Sequence, residues 1–254
     1  CFSGGFLPIL CGDNRVVMSA CSNYEVSYPM QNYLYDEFCY HWFSAMNGET
    51  PSGTLVDADI NNDGYVSFKE AFDYAVAEDT KPEHPLYCSN DCQQQGDYFS
   101  LGGIIPFHIS SNTQWNTSLD LYNDLIIDEF VTLTITSRIR FAPSARIIIQ
   151  PGGKLIIDGG TLTNLCPDKM WQCIYGIGDK DQRQLAQYQG TLEIKNGSLI
   201  ENARNAISTW DGDDYYTSGG IVQCSNSTFR NNRRCAEFMA YTNQTPSGSE
   251  TSNT

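Results

Sequence analysis

Twelve consecutive residues carry the strongest chemical signal in this chain. Asp59-Ile60-Asn61-Asn62-Asp63-Gly64-Tyr65-Val66-Ser67-Phe68-Lys69-Glu70 fits the pattern Asp-x-[Asp/Asn]-x-[Asp/Asn]-Gly-x5-Glu at every fixed position. Oxygen donors at alternate positions suit Ca2+, a hard cation that is satisfied only by many oxygens. Asp59, Asn61 and Asp63 offer side-chain oxygens, and Tyr65 offers its backbone carbonyl. Ser67 stands where a hydroxyl or a water completes the shell, and Glu70 closes the site with two oxygens. Gly64 permits the sharp turn, Val66 suits a short bridge, and a helical pattern over Lys69–Ala77 follows at once. The preceding segment, with Pro51 and Gly53, does not read as a clean helix. The expectation is an isolated loop whose Ca2+ is structural and pins the next helix. An acidic turn that happens to match is the plainer alternative.

A second candidate is the thiol of Cys1, followed by Phe2-Ser3-Gly4-Gly5-Phe6. Small, flexible residues after a cysteine let backbone N–H groups approach the sulfur and a bound carbonyl closely. A buried structural cysteine before glycines would look the same. A thiol needs an imidazole to become a nucleophile at neutral pH. The three histidines, His41, His84 and His108, all lie downstream, and none is followed by Gly. His41 falls in a helical pattern and reads as packing or surface.

The elements that would position Cys1 read as follows. A short apolar strand spans Asn14–Ser19, and the loop Ala20-Cys21-Ser22-Asn23-Tyr24-Glu25-Val26-Ser27-Tyr28-Pro29 comes next. Tyr35-Asp36-Glu37-Phe38 then opens an amphipathic helix that runs to about Met46. Cys-x-Ser-Gly, a strand ending in Ala, x-Glu-x-Ser-Tyr and Tyr-Asp-Glu before a helix with Trp42 and Ser44 resemble the C-terminal half of legumain-like, caspase-fold cysteine peptidases. The Cys-Phe-Ser-Gly-Gly run is also similar to the Cys-His-Ser-Gly of metacaspases. The likeness covers roughly residues 1–90. It implies that Cys1 is the nucleophile and that Gly4 and Gly5 lie near the oxyanion and the substrate backbone. It places Glu25 and Ser27 on the stretch that lines the primary specificity pocket, an ordinary solvated acid being the other reading of Glu25. Tyr24 replaces the Arg of the legumain pattern, which puts asparagine specificity in doubt. The family's catalytic His lies in a His-Gly pair roughly 50 residues upstream of the Cys. The expectation is therefore an internal fragment that is inactive alone.

Beyond residue 80 the chain changes character. Pro82 and Pro85 break the helix, and Cys88-Ser89-Asn90-Asp91-Cys92 leaves a local disulfide or two free thiols as alternatives, with no second ligand pair for zinc. Then the sequence repeats itself. Gly153–Asn164, Gly190–Glu201 and Gly220–Asn231 share Gly, alternating apolar residues, a Gly or Asn turn, then Ser/Thr and an apolar residue. Period-two alternation means strands with one buried face. One such unit cannot cover its own apolar face, but a stack can. Val131–Ile135 and Arg146–Ile149 read as further rungs. The region resembles the right-handed parallel β-helix modules of large secreted bacterial proteins. The polar tail Thr245–Ser249 reads as a loop between rungs. Within the repeats, Trp210-Asp211-Gly212-Asp213-Asp214-Tyr215-Tyr216 is an acidic loop with aromatics able to stack on sugar rings, or simply a surface insertion.

The fold expected is thus mixed: a partial α/β caspase-like domain over 1–92, a linker over 93–124, and an all-β parallel β-helix over 125–254, truncated at both ends. The partners expected are a peptide or protein substrate and, through the β-helix, a glycan or a cell surface. A net charge of −15 disfavours nucleic acid and anionic membranes, and Arg230, Arg233 and Arg234 are too small a cluster for a nucleic-acid footprint. No apolar run reaches the length of a membrane span. The composition suits an exported acidic protein, and the β-helix resemblance implies an extracellular or cell-surface protein of a bacterium. Ten cysteines leave disulfides or buried thiols open, and Cys166 and Cys173 are near enough in sequence to bridge. Sequons at Asn116 and Asn226 matter only in a host that glycosylates.

Overall fold

The computed structural model describes residues 2–12, 15–30, 34–89 and 95–241. The chain divides into two compact units, residues 1–105 and 106–254.

The first unit is built on two helices. α1 (Leu7–Leu10) is one short turn, while α2 (Glu37–Asn47) and α3 (Phe68–Glu78) are the main elements. Asp36 caps α2 by accepting the Cys39 N–H, and Gly48 ends it at φ 75°. Ser67 and Glu70 form a reciprocal capping box at the start of α3. The apolar stripes meet where Phe38 packs edge-on against Phe72, with ring centroids 5.6 Å apart. Trp42 packs beside Ala45, Ala58 and Ala71, small residues that let the helices close. β1 (Val16–Ser19) pairs antiparallel with β2 (Leu86–Ser89), and a Cys11–Cys88 disulfide joins the same two regions across 77 residues. α4 (Gln95–Tyr98), β3 (Phe99–Ser100) and β4 (Gly103–Ile104) complete the unit, with Phe99 against Phe68. Among the described residues both sheets of this unit are two-stranded and antiparallel. The strand expected at Asn14–Ser19 is observed from Val16, and Asn14 lies outside the described residues. Cys88 pairs with Cys11, which replaces the local alternatives read from sequence; Cys92 also lies outside the described residues.

The second unit is a parallel β-solenoid of five coils with three strands each. The coils are β5 (Phe107–Ile109), β6 (Thr113–Trp115) and β7 (Leu119–Leu121); β8 (Leu125–Ile127), β9 (Thr132–Ile135) and β10 (Arg138–Phe141); β11 (Ile147–Ile149), β12 (Lys154–Asp158) and β13 (Thr161–Asn164); β14 (Trp171–Gly176), β15 (Thr191–Lys195) and β16 (Leu199–Glu201); β17 (Ala203–Ser208), β18 (Ile221–Cys224) and β19 (Thr228–Arg230). Equivalent strands stack into three sheets, β5-β8-β11-β14-β17, β6-β9-β12-β15-β18 and β7-β10-β13-β16-β19. Bridges Asn205–Arg234 and Ser208–Glu237 begin a sixth coil.

Register explains the repeat. Leu155 stacks between Leu133 and Leu192, and Ile157 between Ile135 and Ile194, all fully buried or nearly so. On the outward face of the same sheet Lys154 pairs with Glu193. Phe141 and Trp171 stack face to face with centroids 4.6 Å apart, and the Trp171 indole donates to the Glu201 carbonyl. At one corner Asn202 donates to Asn164 at 2.7 Å and accepts from Asn231 at 2.5 Å. Asn202 and Asn231 sit at φ 59° and 53°, where Asn is tolerated better than most residues. The solenoid starts at Phe107, not at 125. The stretch read as a linker, 93–124, therefore holds α4, β3, β4 and the whole first coil. Its strands are only three residues long and separated by Ser and Asn, so their alternation was too brief to read. The tail at Thr245–Ser249 lies outside the described residues.

Candidate functional site

Cys1 lies outside the described residues. The segment after it folds onto the 21–25 loop. The Phe2 N–H donates to the Glu25 carbonyl at 3.0 Å, and the Ser3 hydroxyl lies 3.5 Å from the Cys21 sulfur. Gly4 is buried, and a Cβ there would stand 2.6 Å from the Cys21 carbonyl oxygen. Gly5 is exposed, with only the Asn23 side chain near it, at 3.6 Å. The close approach thus requires glycine at 4 and not at 5.

Glu25 is clamped. One carboxylate oxygen accepts from the Ser22 hydroxyl at 2.7 Å and from the N–H groups of Ser22 and His84 at 3.2 Å each; the other meets His84 Nδ1 at 2.5 Å. The Ser22 hydroxyl, then His84, hold the Glu25 carboxyl down to about 2. Glu25 therefore acts here as a tie between the loop and residue 84, 59 positions on, and Ser27 is half-buried on the same loop. Nothing local in the sequence announces the partnership of His84 with Glu25. His41 lies in α2 with its ring edge-on to Tyr40 and Tyr74, and His108 pairs with Asp128 in the solenoid.

A nearby acid, Glu83, is buried without a salt bridge among the described residues. Glu83, 7% exposed, accepts the Tyr28 N–H, while its second oxygen and one oxygen of Asp79 have no hydrogen-bond partner. Burial, then Asp79, push the Glu83 carboxyl up to about 8. Glu37 instead pairs with Lys81 at 2.8 Å and accepts from Thr80.

The 59–70 loop closes on itself. Asp59 accepts the N–H groups of Asp63 and Gly64, Asn61 accepts that of Asp63, and Asp63 accepts that of Tyr65. Asn62 and Gly64 take left-handed φ values of 59° and 88°. Glu70 accepts from Asn61 N at 3.3 Å and Ser67 N at 2.9 Å, so it spans the loop from end to end. The Ser67 hydroxyl is spent on the helix cap, accepting the Glu70 N–H. Among the described residues, no three His, Cys, Asp or Glu side chains are gathered as a metal-binding group. Each carboxylate oxygen can accept more than one bond, so N–H partners leave lone pairs at Asp59, Asp63 and Glu70. The donor chemistry fits Ca2+.

In the solenoid, the acidic loop after β17 brings Asp211 and Asp213 to the same cleft as Tyr175 and Arg146. Trp210, the stacking candidate in the sequence, has its indole N–H enclosed without a partner. Tyr215 and Tyr216 face Lys180, with Nζ 4.4 Å from the Tyr216 ring centre. Cys173 is a free buried thiol while Cys166 is disulfide-bonded, so the bridge their spacing allowed is not formed. Among the described residues no helix is long and apolar enough to cross a membrane. No protein-family model, no curated protein and no solved structure matches the chain.

Proposed function

We propose that the first unit is the nucleophile-bearing half of a secreted, caspase-like cysteine endopeptidase and that the solenoid is its targeting appendage. The observation that carries the reading is the seating of Phe2 and Gly4 on the 21–25 loop. It joins the residue that follows Cys1 to the stretch which the family resemblance assigns to the substrate. Cys1 would attack the scissile carbonyl as a thiolate, release the amine and leave an acyl-enzyme thioester for water to cleave. Its proton must pass to an imidazole. The family resemblance places that imidazole in a His-Gly pair upstream of Cys1. The Cys11–Cys88 disulfide and the bonded Cys166 favour an oxidising, extracellular setting, in keeping with a bacterial surface protein.

The test compares peptide-library hydrolysis by the 254-residue chain with hydrolysis by a longer protein carrying the His-Gly half that the resemblance implies. Activity only in the longer protein, abolished by Cys1→Ala, is expected. Hydrolysis by neither overturns the peptidase reading and leaves a non-catalytic surface protein, the reading favoured by the full engagement of both Glu25 oxygens.

The same proposal gives the 59–70 loop a structural Ca2+, held by Asp59, Asn61, Asp63, the Tyr65 carbonyl and Glu70. The ion would supply only positive charge that fixes the entry to α3. Calcium should raise the melting temperature of the wild type and not that of Glu70→Gln. An equal response of the two sinks the assignment.

A further inference from the structure

We propose that the outer face of the solenoid's first sheet binds a neutral saccharide, in a cleft of about 370 Å3 between β11, β14 and the loop after β17. The inference is independent of the peptidase reading. On β11, Ile147 and Ile149 point into the core, so Arg146, Ile148 and Gln150 share the outer face. Tyr175 stands next to Ile148 on the neighbouring strand and extends that face. The loop closes the third side. Asp211 accepts the N–H groups of Asp213 and Asp214 at 2.9 and 2.6 Å, and its own N–H is held by Thr217. Gly212, at φ 94°, passes the edge of the Tyr175 ring, which a Cβ there would approach to 3.9 Å. The walls are therefore fixed by sheet register and by loop hydrogen bonds before any ligand arrives.

The open polar groups identify the ligand. Arg146 spends Nε on Asp124 at 2.8 Å and lays its guanidinium 5.8 Å from the Tyr175 ring centre. Among the described residues its terminal nitrogens, the Gln150 amide and the Asp213 carboxylate have no protein partner. A phosphate or uronate would meet the charges of Asp211 and Asp213. A bare cation would meet Arg146. A wholly apolar ligand would strip water from three unpaired polar groups. A sugar hydroxyl both donates and accepts, so one ring can donate to Asp213, accept from Arg146 and do both with Gln150. Its C–H faces have Ile148 and the edge of Tyr175 to lie against.

Calorimetric titration of the full chain with neutral oligosaccharides built on glucose, mannose, galactose and xylose, at millimolar concentration, tests this. At least one should bind saturably. Asp213→Asn, at an exposed position that leaves the fold intact, should weaken it at least tenfold, and Tyr175→Ala should abolish it. Arg138→Ala, on the third sheet, should change nothing. If Tyr175→Ala fails to fold, Asp213→Asn decides alone. No saturable binding across the panel, indifference to Asp213→Asn, or a preference for uronic-acid oligomers overturns the proposal. Cys1→Ala should leave binding unchanged whatever the peptide assay gives.

Discussion

The two units solve the same problem in opposite ways. In the solenoid each core residue rests on its own equivalent one coil away, so Leu133, Leu155 and Leu192 form one apolar column. In the first unit the decisive partners are unlike residues far apart in sequence: Cys11 with Cys88, Tyr28 with Glu83, Glu25 with His84. The repeat distributes stability over many similar contacts, whereas the first unit concentrates it in a few ties. A lesion in the solenoid should propagate along the stack, and a lesion in the first unit should stay local but cut deep.

The largest expected effect lies in the solenoid. Trp171→Ala empties the space above Phe141 and removes the bond to the Glu201 carbonyl, at a cost of about 3–5 kcal/mol. Denaturant unfolding followed by hydrogen exchange should show protection lost on both sides of β14. Protection lost in β14 alone would break the contrast. Close behind, Cys88→Ala removes the closure of a long loop, worth about 4 kcal/mol, and should make the first unit sensitive to protease while the solenoid strands keep their exchange protection. Smaller again, Gly4→Ala should lower the melting point of the first unit by the equivalent of about 1–3 kcal/mol, because backbone at 21–22 must give way. Gly5→Ala should change it by under about 0.5 kcal/mol.

The smallest effect is a pH window. Glu83 is held above its ordinary value, so its contribution is complete below pH 4.5 and fades as pH rises through about 8. Glu25 is held below its ordinary value, so its contribution is complete above pH 4.5 and is lost as pH falls toward about 2. Melting scans of the first unit should show both slopes. Glu83→Gln should flatten the alkaline one and leave the acid one in place.

This contrast also governs how much could be read in advance. Gly153, Gly190 and Gly220 marked equivalent points in three coils; the alternating residues after Gly153 and Gly190 are the buried columns of the second sheet, and the half-buried Val222 continues one of them. The first sheet was mostly missed: β14 carries Trp, Cys and Tyr, and a register shift at Cys173–Ile174 breaks its alternation. Helix ends in the first unit were legible to within two residues because Asp36, Gly48 and Ser67 are local signals. The role of Glu25 was not, since its partner His84 is brought in by the fold and the sequence held no periodicity linking them. The cleft at Asp213 was half legible: the acids stood out, but Arg146 and Tyr175 come from two other coils.

The Cys11–Cys88 bond has a mechanical consequence. Tension along the chain enters at residue 11 and leaves at residue 88 through sulfur, so the backbone between them bears no load. The enclosed stretch, with α2, the 59–70 loop and α3, would otherwise release about 250 Å of slack when pulled out. Anchored at one end and dragged at the other, the molecule would yield first elsewhere, and the helical pair would keep its shape under shear.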